Sequence, residues 1–263
     1  MTALTKEVGA GRGVVESVLR ATRLLDCFER GRPEMTLPEL TRRGGYSKTT
    51  TYRLLSSLVL AGWLERTPSG GFRLTIKAFR LGSILMDSLD LRREAASVMA
   101  ALAADTGDTV YLTIPTGVTA TCLERIDSGQ AVRVMDLDVG GSQPLHLGAA
   151  PRALLAFNEE ELLPALLRVG LESRTSDTLA DPEALRADLA ATRRRGYSIS
   201  RGDVTLGVGA LGAPVFDSRG RAVAALSVGG LVERFGPDEV PRIARRLVQA
   251  CSELSARLGH AEN

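Results

Sequence analysis

Between residues 14 and 29, Val15, Val18, Leu19, Ala21, Leu24, Leu25 and Phe28 recur at the spacing of a helix and form an apolar stripe wider than one small domain needs. Part of that stripe is therefore assigned to a partner subunit. Residues 35–74 read as a short helix, a glycine turn, a second helix and a hairpin. Thr36 caps the first of these helices, Pro38 and Glu39 lie in its first turn, and Gly44-Gly45 supplies the tight turn. Ser47 caps the next helix, with Leu54, Leu55 and Leu58 on one side and Lys48, Thr49, Thr50, Tyr52 and Arg53 near its N-terminal end. Strand-like Trp63-Leu64-Glu65-Arg66 and Phe72-Arg73-Leu74 flank a Pro-Ser-Gly-Gly turn, which puts Arg66 and Arg73 beside it. That order is a winged helix-turn-helix, and it nominates Ser47, Lys48, Thr49, Thr50, Tyr52, Arg53, Arg66 and Arg73 as the DNA-contacting set.

The period is helical again over residues 76–89, through Ala78, Phe79, Leu81, Ile84, Leu85 and Leu89, and this segment reads as an interdomain linker. Beyond it come an alanine-rich helix at 92–104 and strands at 109–114, 119–126 and 131–136. Helices at 151–157, 159–169 and 182–195 follow, then strands at 197–200, 208–216 and 222–228, and a last amphipathic helix at about 238–258. Helix, strands, helices, strands, helix predicts an α+β sensor-like domain with an antiparallel sheet. Pro151 suits a first helical position, which makes Ala150 the predicted N-cap of the 151–157 helix and its amides a candidate anion site.

A chain of 263 residues is comfortable for two cores. Charge sharpens the picture locally. Residues 1–90 hold 14 Lys+Arg against 9 Asp+Glu, a net +5, while residues 91–263 hold 19 against 22, a net −3. Nine basic and three acidic side chains lie from Arg32 to Arg80, the footprint of a module that neutralises phosphates.

Other chemistry is scarce. Cys27, Cys122 and Cys251 lie far apart without a CxxC pair, which argues for packing residues in a reducing cytoplasm, and with His146 and His260 as the two histidines no metal-ligand cluster has the right spacing. No GxSxG elbow accompanies His146, so nucleophilic catalysis is not supported and the chain is not read as an enzyme. No apolar run approaches the roughly 20 residues of a membrane span, and residues 1–13 read as a flexible arm rather than a signal peptide. Gly207-Val208-Gly209-Ala210-Leu211-Gly212 matches GxGxxG, but the following Ala213-Pro214 continues a strand instead of opening a helix, so the glycines serve sheet curvature or close approach and no nucleotide cofactor is expected. Two rival readings remain open: a metabolic enzyme whose N-terminal helices only dimerise, and an interaction module that has lost DNA binding.

The run Lys48 to Leu55, the wing from Gly62 to Arg66 and Phe72 to Leu74, and the segments Pro144-Leu145-His146, Arg152-Ala153-Leu154-Leu155-Ala156, Arg195-Gly196-Tyr197 and Ala213-Pro214-Val215 resemble the IclR-type transcriptional regulators of bacteria over about residues 14–258. The resemblance implies a winged domain at 14–75, a linker helix at 76–90 and a GAF-like effector-binding domain at 91–263. It implies a homodimer or tetramer on double-stranded operator DNA, as repressor or activator, answering a small-molecule effector that is often a carboxylate. The family's effector pocket falls on Val132, Ala149, Ala150, Ser200, Ala210, Ser227 and Gly229, with Val134, His146 and Gly148 adjoining. Ala210 and Gly229 stand where relatives carry a hydroxyl or thiol, and Pro151-Arg152 replaces a usual Gly-Lys, so polar donors are fewer and a smaller or more hydrophobic effector is implied. Ser47 stands in place of a usual proline and Thr51 in place of an apolar residue, neither expected to break the fold.

Overall fold

The computed structural model describes residues 14–29, 32–81, 90–127 and 137–261, and the chain divides into two compact units at residues 89 and 90. The expected flexible arm at 1–13, the strand at 131–136 and most of the linker helix lie outside the described residues; 76–81 are helical.

In the first unit, helix α1 (Glu16–Leu25) is shorter than the stripe that predicts it, because residues 26 and 27 turn. Strand β1 (Glu34–Met35) precedes α2 (Leu37–Gly44), whose start is fixed by the Glu39 carboxylate accepting from the amide and the hydroxyl of Thr36 at 2.8 and 2.7 Å. The two glycines ending α2 serve different needs. Gly45 takes a left-handed φ of 74° that closes the helix, and a Cβ on Gly44 would come 2.6 Å from Leu24 Cδ2 of α1. Helix α3 (Lys48–Leu60) follows, then the hairpin of β2 (Leu64–Arg66) and β3 (Phe72–Leu74), with β3 between β1 and β2. Leu24, Met35, Leu40, Leu55, Leu58, Leu64 and Phe72 fill the core. Thr51 is fully buried, and its hydroxyl donates to the Ser47 carbonyl at 3.0 Å, so the polar atom is satisfied within the helix. Glu34 accepts from Thr67 at 2.6 Å and from Ser69, bonds that hold its carboxyl below the usual range and pin the wing turn to β1.

The second unit is a six-stranded antiparallel sheet in the order β6-β5-β4-β9-β8-β7. Its strands are β4 (Thr109–Thr116), β5 (Thr119–Ile126), β6 (Ser142–Pro144), β7 (Ser198–Arg201), β8 (Val208–Phe216) and β9 (Ala222–Leu231). Helices α4 (Asp90–Thr106), α5 (Ala149–Phe157), α6 (Glu159–Val169), α7 (Pro182–Arg195) and α8 (Val240–Arg257) complete it. Residues 211–215 of β8 are all buried, so both faces of that strand are covered, and α5 and α8 both pack on it. The glycine run forms this strand as its sequence context predicts. Gly209 faces the Phe235 ring, and a Cβ on Gly212 would meet the Ala149 backbone at 2.5 Å.

Candidate DNA-reading face and effector cleft

In the winged unit, Thr51, Leu55 and Leu58 turn one side of α3 into the core. At 100° per residue the opposite side carries Thr49, Arg53, Ser56 and Leu60, and Leu60 is 91% exposed. Lys48, Thr49 and Arg53 are exposed at the N-terminal half, where a recognition helix meets base edges and phosphates. Ser47 is occupied as the cap: its hydroxyl accepts from the Thr50 amide at 3.2 Å and donates to the Thr50 hydroxyl at 2.9 Å. Arg66 lies over the rings of Tyr52 and Phe72, its guanidinium carbon 5.4 and 5.1 Å from their centroids. Arg73 is ion-paired with Glu65 across the hairpin, both side chains about half exposed, which partly offsets its charge on that face. Lys48, Thr49, Tyr52, Arg53 and Arg66 thus form the accessible face, while exposed Ser47 and half-buried Thr50 engage their hydroxyls in the cap.

In the second unit a cleft opens between the start of α5 and strands β4, β7, β8 and β9. Gly148, Ala149, Ala150, Ser200, Ala210, Ser227 and Gly229, nominated from sequence, line it together. Sheet register is the reason: Ser200 pairs with Ala210, Ala210 with Gly229, and Tyr111 with Ser227, so one face of four strands collects them. His146 is not among them. It is fully buried with Nε2 2.9 Å from the Glu172 carbonyl, and since a carbonyl only accepts, Nε2 carries the proton. Burial holds its pKa below the usual imidazole value, and it is a packing residue. Val132 and Val134 lie outside the described residues. Tyr111, Thr113, Gln143, Val204, Thr205 and Val208 also line the cleft and were not anticipated, because only strand pairing and the loop after β7 bring them there, and Pro151 joins them from the first turn of α5.

The start of α5 also differs from expectation. Gly148, with φ 81°, is the N-cap and Ala149 the first helical residue, so Pro151 stands at the third position and Ala150 is not the cap. Proline is tolerated there because the first amides of a helix have no intrahelical acceptor. The amide of the actual cap is already used. The Gly148 amide donates to Asp203 Oδ2 at 3.2 Å, leaving Ala149 and Ala150 at the helix entrance.

Behind the cleft lies a buried ionic cluster. Arg152 Nη1 is 2.5 Å from Asp203 Oδ2 and its Nε is 3.3 Å from Asp188 Oδ2, while Nη2 donates to the Ile199 carbonyl. The other Asp203 oxygen accepts from the Ser200 hydroxyl. Asp203 lies 51 residues from Arg152 with no shared pattern, so nothing in the sequence singled it out. The remaining chemistry is inert: burial pushes the Cys122 and Cys251 thiols up to about 12, and among the described residues no group of His, Cys, Asp and Glu could hold a metal ion. No helix among the described residues is long and apolar enough to cross a membrane.

Residues 17–68 match the model of the IclR helix-turn-helix domain, and residues 84–256 match that of the C-terminal domain of bacterial transcriptional regulator IclR. The HTH-type transcriptional regulator KipR of Bacillus subtilis is 31% identical over 93% of this chain and 98% of its own length. The solved structure of a protein described as an IclR transcriptional regulator from Silicibacter sp. superposes with a TM-score of 0.81 at 32% identity, covering 94% of this chain and 98% of the other. An IclR homolog from Microbacterium hydrocarbonoxydans, complexed with 4-hydroxybenzoate, gives 0.78 at 27% identity over 92% and 98%. Such relatives are regulators and not enzymes, and with both units matched this chain belongs to the IclR family of bacterial DNA-binding transcriptional regulators.

Proposed function

We propose that this regulator grips operator DNA as a homodimer in the cytoplasm and that a small monocarboxylate in the cleft of its second unit controls that grip. On this reading residues 14–75 bind DNA through Lys48, Thr49, Tyr52, Arg53 and Arg66, residues 76–90 link, and residues 91–263 sense. The observation that carries the effector assignment is the cleft, with a concave, mostly apolar lining and a few converging polar groups. Among the described residues no lysine or arginine lines it, and its donors there are neutral. The Ala149 and Ala150 amides at the helix entrance and the Ser227 hydroxyl favour one negative charge over two, and Val204, Val208, Pro151 and the Tyr111 ring suit an apolar body. The 4-hydroxybenzoate complex of the Microbacterium relative supports the same ligand class.

The test is DNA release. Full-length protein bound to the promoter DNA beside its own gene is titrated with a panel of aliphatic and aromatic monocarboxylates. At least one is expected to change DNA affinity, and Ala210→Leu, which fills the cleft from β8, is expected to keep DNA binding and lose the response. DNA affinity indifferent to every acid in the wild type would defeat the reading.

A further inference from the structure

We infer that Arg152 and Asp203 fix Ser200 as a hydrogen-bond acceptor toward the cleft, so that the effector carries a hydroxyl or N–H donor besides its acid group. The inference rests on the carboxylate reading and deepens it. Asp203 is 2% exposed and ion-paired with Arg152, equally buried. An ionised carboxylate has no proton to give, so in the bond between Ser200 and Asp203 the serine must be the donor. The Gly148 amide and Arg152 Nη1 occupy the other carboxylate oxygen and stop the group from turning away. Ser200 has one proton, and it is spent behind the cleft. What its oxygen offers the ligand is lone pairs. Turning that proton toward a ligand would forfeit a charge-assisted bond in a buried place and leave an unpaired carboxylate oxygen. Ser227 is different: its hydroxyl makes no hydrogen bond among the described residues, so its proton is available to an acid. The cleft is therefore polarised, with donors at the α5 entrance and Ser227 and an enforced acceptor at Ser200. A plain acid would leave that acceptor unanswered, and a methyl ether would set two acceptors against each other. Asp203 and Arg152 act as positioning residues, through Ser200.

Calorimetry on the full chain tests this with two matched sets: benzoate, 4-hydroxybenzoate and 4-methoxybenzoate, and propionate, lactate and 2-methoxypropionate. In at least one set the hydroxy acid is expected to bind about tenfold or more tightly than its parent and its ether, the worth of one well-formed hydrogen bond. Ser200→Thr should keep that preference and Ser200→Ala should abolish it, with some loss of melting temperature because an Asp203 oxygen loses its donor; binding is read well below that melt. Asp203→Asn, whose amide donates to Ser200 and frees the serine proton, should shift the preference toward the ether; a melt shows whether this variant folds, and if it does not the two Ser200 variants decide. Equal binding of hydroxy and parent acids in both sets, or a preference that survives Ser200→Ala, would overturn the inference while leaving carboxylate sensing in place. Binding of none of the six acids would overturn both.

Discussion

Arg66 at the end of the first wing strand lies over the ring of Tyr52 on the recognition helix, 5.4 Å from guanidinium carbon to centroid. Wing and helix are thereby joined into one surface, and the arginine keeps its outer edge available to phosphate while its face is stacked.

Arg53 stands on the outermost side of the same helix, opposite the buried Thr51, Leu55 and Leu58. Arg53→Ala is expected to cost about 1–3 kcal/mol of operator affinity with the melting temperature unchanged. Arg73→Ala should cost less, because Glu65 already engages that charge. Fluorescence anisotropy on labelled DNA decides, and wild-type affinity in Arg53→Ala would remove it from the contact set.

Val18 is 56% exposed and Phe79 69%, in a unit where Val14, Val15, Leu19, Ile76 and Leu81 are exposed as well. So much apolar surface on a small module calls for a second copy. Light scattering should give a dimer at micromolar concentration, and Val18→Asp combined with Phe79→Asp should dissociate it. A monomeric wild type would contradict the assignment.

Gly212 leaves no room for a side chain: a Cβ would lie 2.5 Å from the carbonyl carbon of Ala149 and 2.6 Å from the Ala150 nitrogen, both backbone atoms that cannot swing aside. Gly212→Ala should therefore cost about 1–3 kcal/mol and lower the melting temperature. A thermal scan of the two proteins is enough, and equal stability would mean that the helix stands further from the strand.

His146 supplies a pH dependence. Its folded pKa lies below the ordinary 6.5 because burial disfavours the cation. As pH falls through about 6.5 the unfolded chain takes up the proton first, so stability is full above that pH and is lost below it, by up to about 1.4 kcal/mol per pH unit. His146→Gln should flatten the acid side of the stability curve between pH 6.5 and 5. Parallel curves for the two proteins would assign the acid sensitivity to other groups.

The winged unit was legible in the sequence because each of its parts is a local event. Thr36 and Glu39 are three residues apart, Gly44-Gly45 is one turn, and the hairpin closes within eleven residues. The helices at 159–169 and 182–195 and the strands at 119–126 and 208–216 were equally plain, bounded by prolines, glycines and polar turns. Three-residue β6 carries too little pattern to be seen, and the proline rule misplaced the start of α5 by two residues because Pro151 is harmless anywhere in a first helical turn. The cleft was only half legible. Resemblance nominated its small residues, but Tyr111 and Gln143 enter through strand pairing, and the tie between Arg152 and Asp203 spans 51 positions with no periodicity to announce it.

The close approach of Gly212 to Ala149 has a further meaning for how such a regulator changes its diet. Two residues along β8 from the cleft-lining Ala210, main chain rests on main chain, independent of the side chains that line the cleft. Ala210 and Gly229 can therefore gain a few atoms, redrawing the shape offered to a ligand, without touching that contact, whereas Ala150 is held in the buried core. Substitution at those two positions changes what the cleft fits before it disturbs the frame that holds helix against strand.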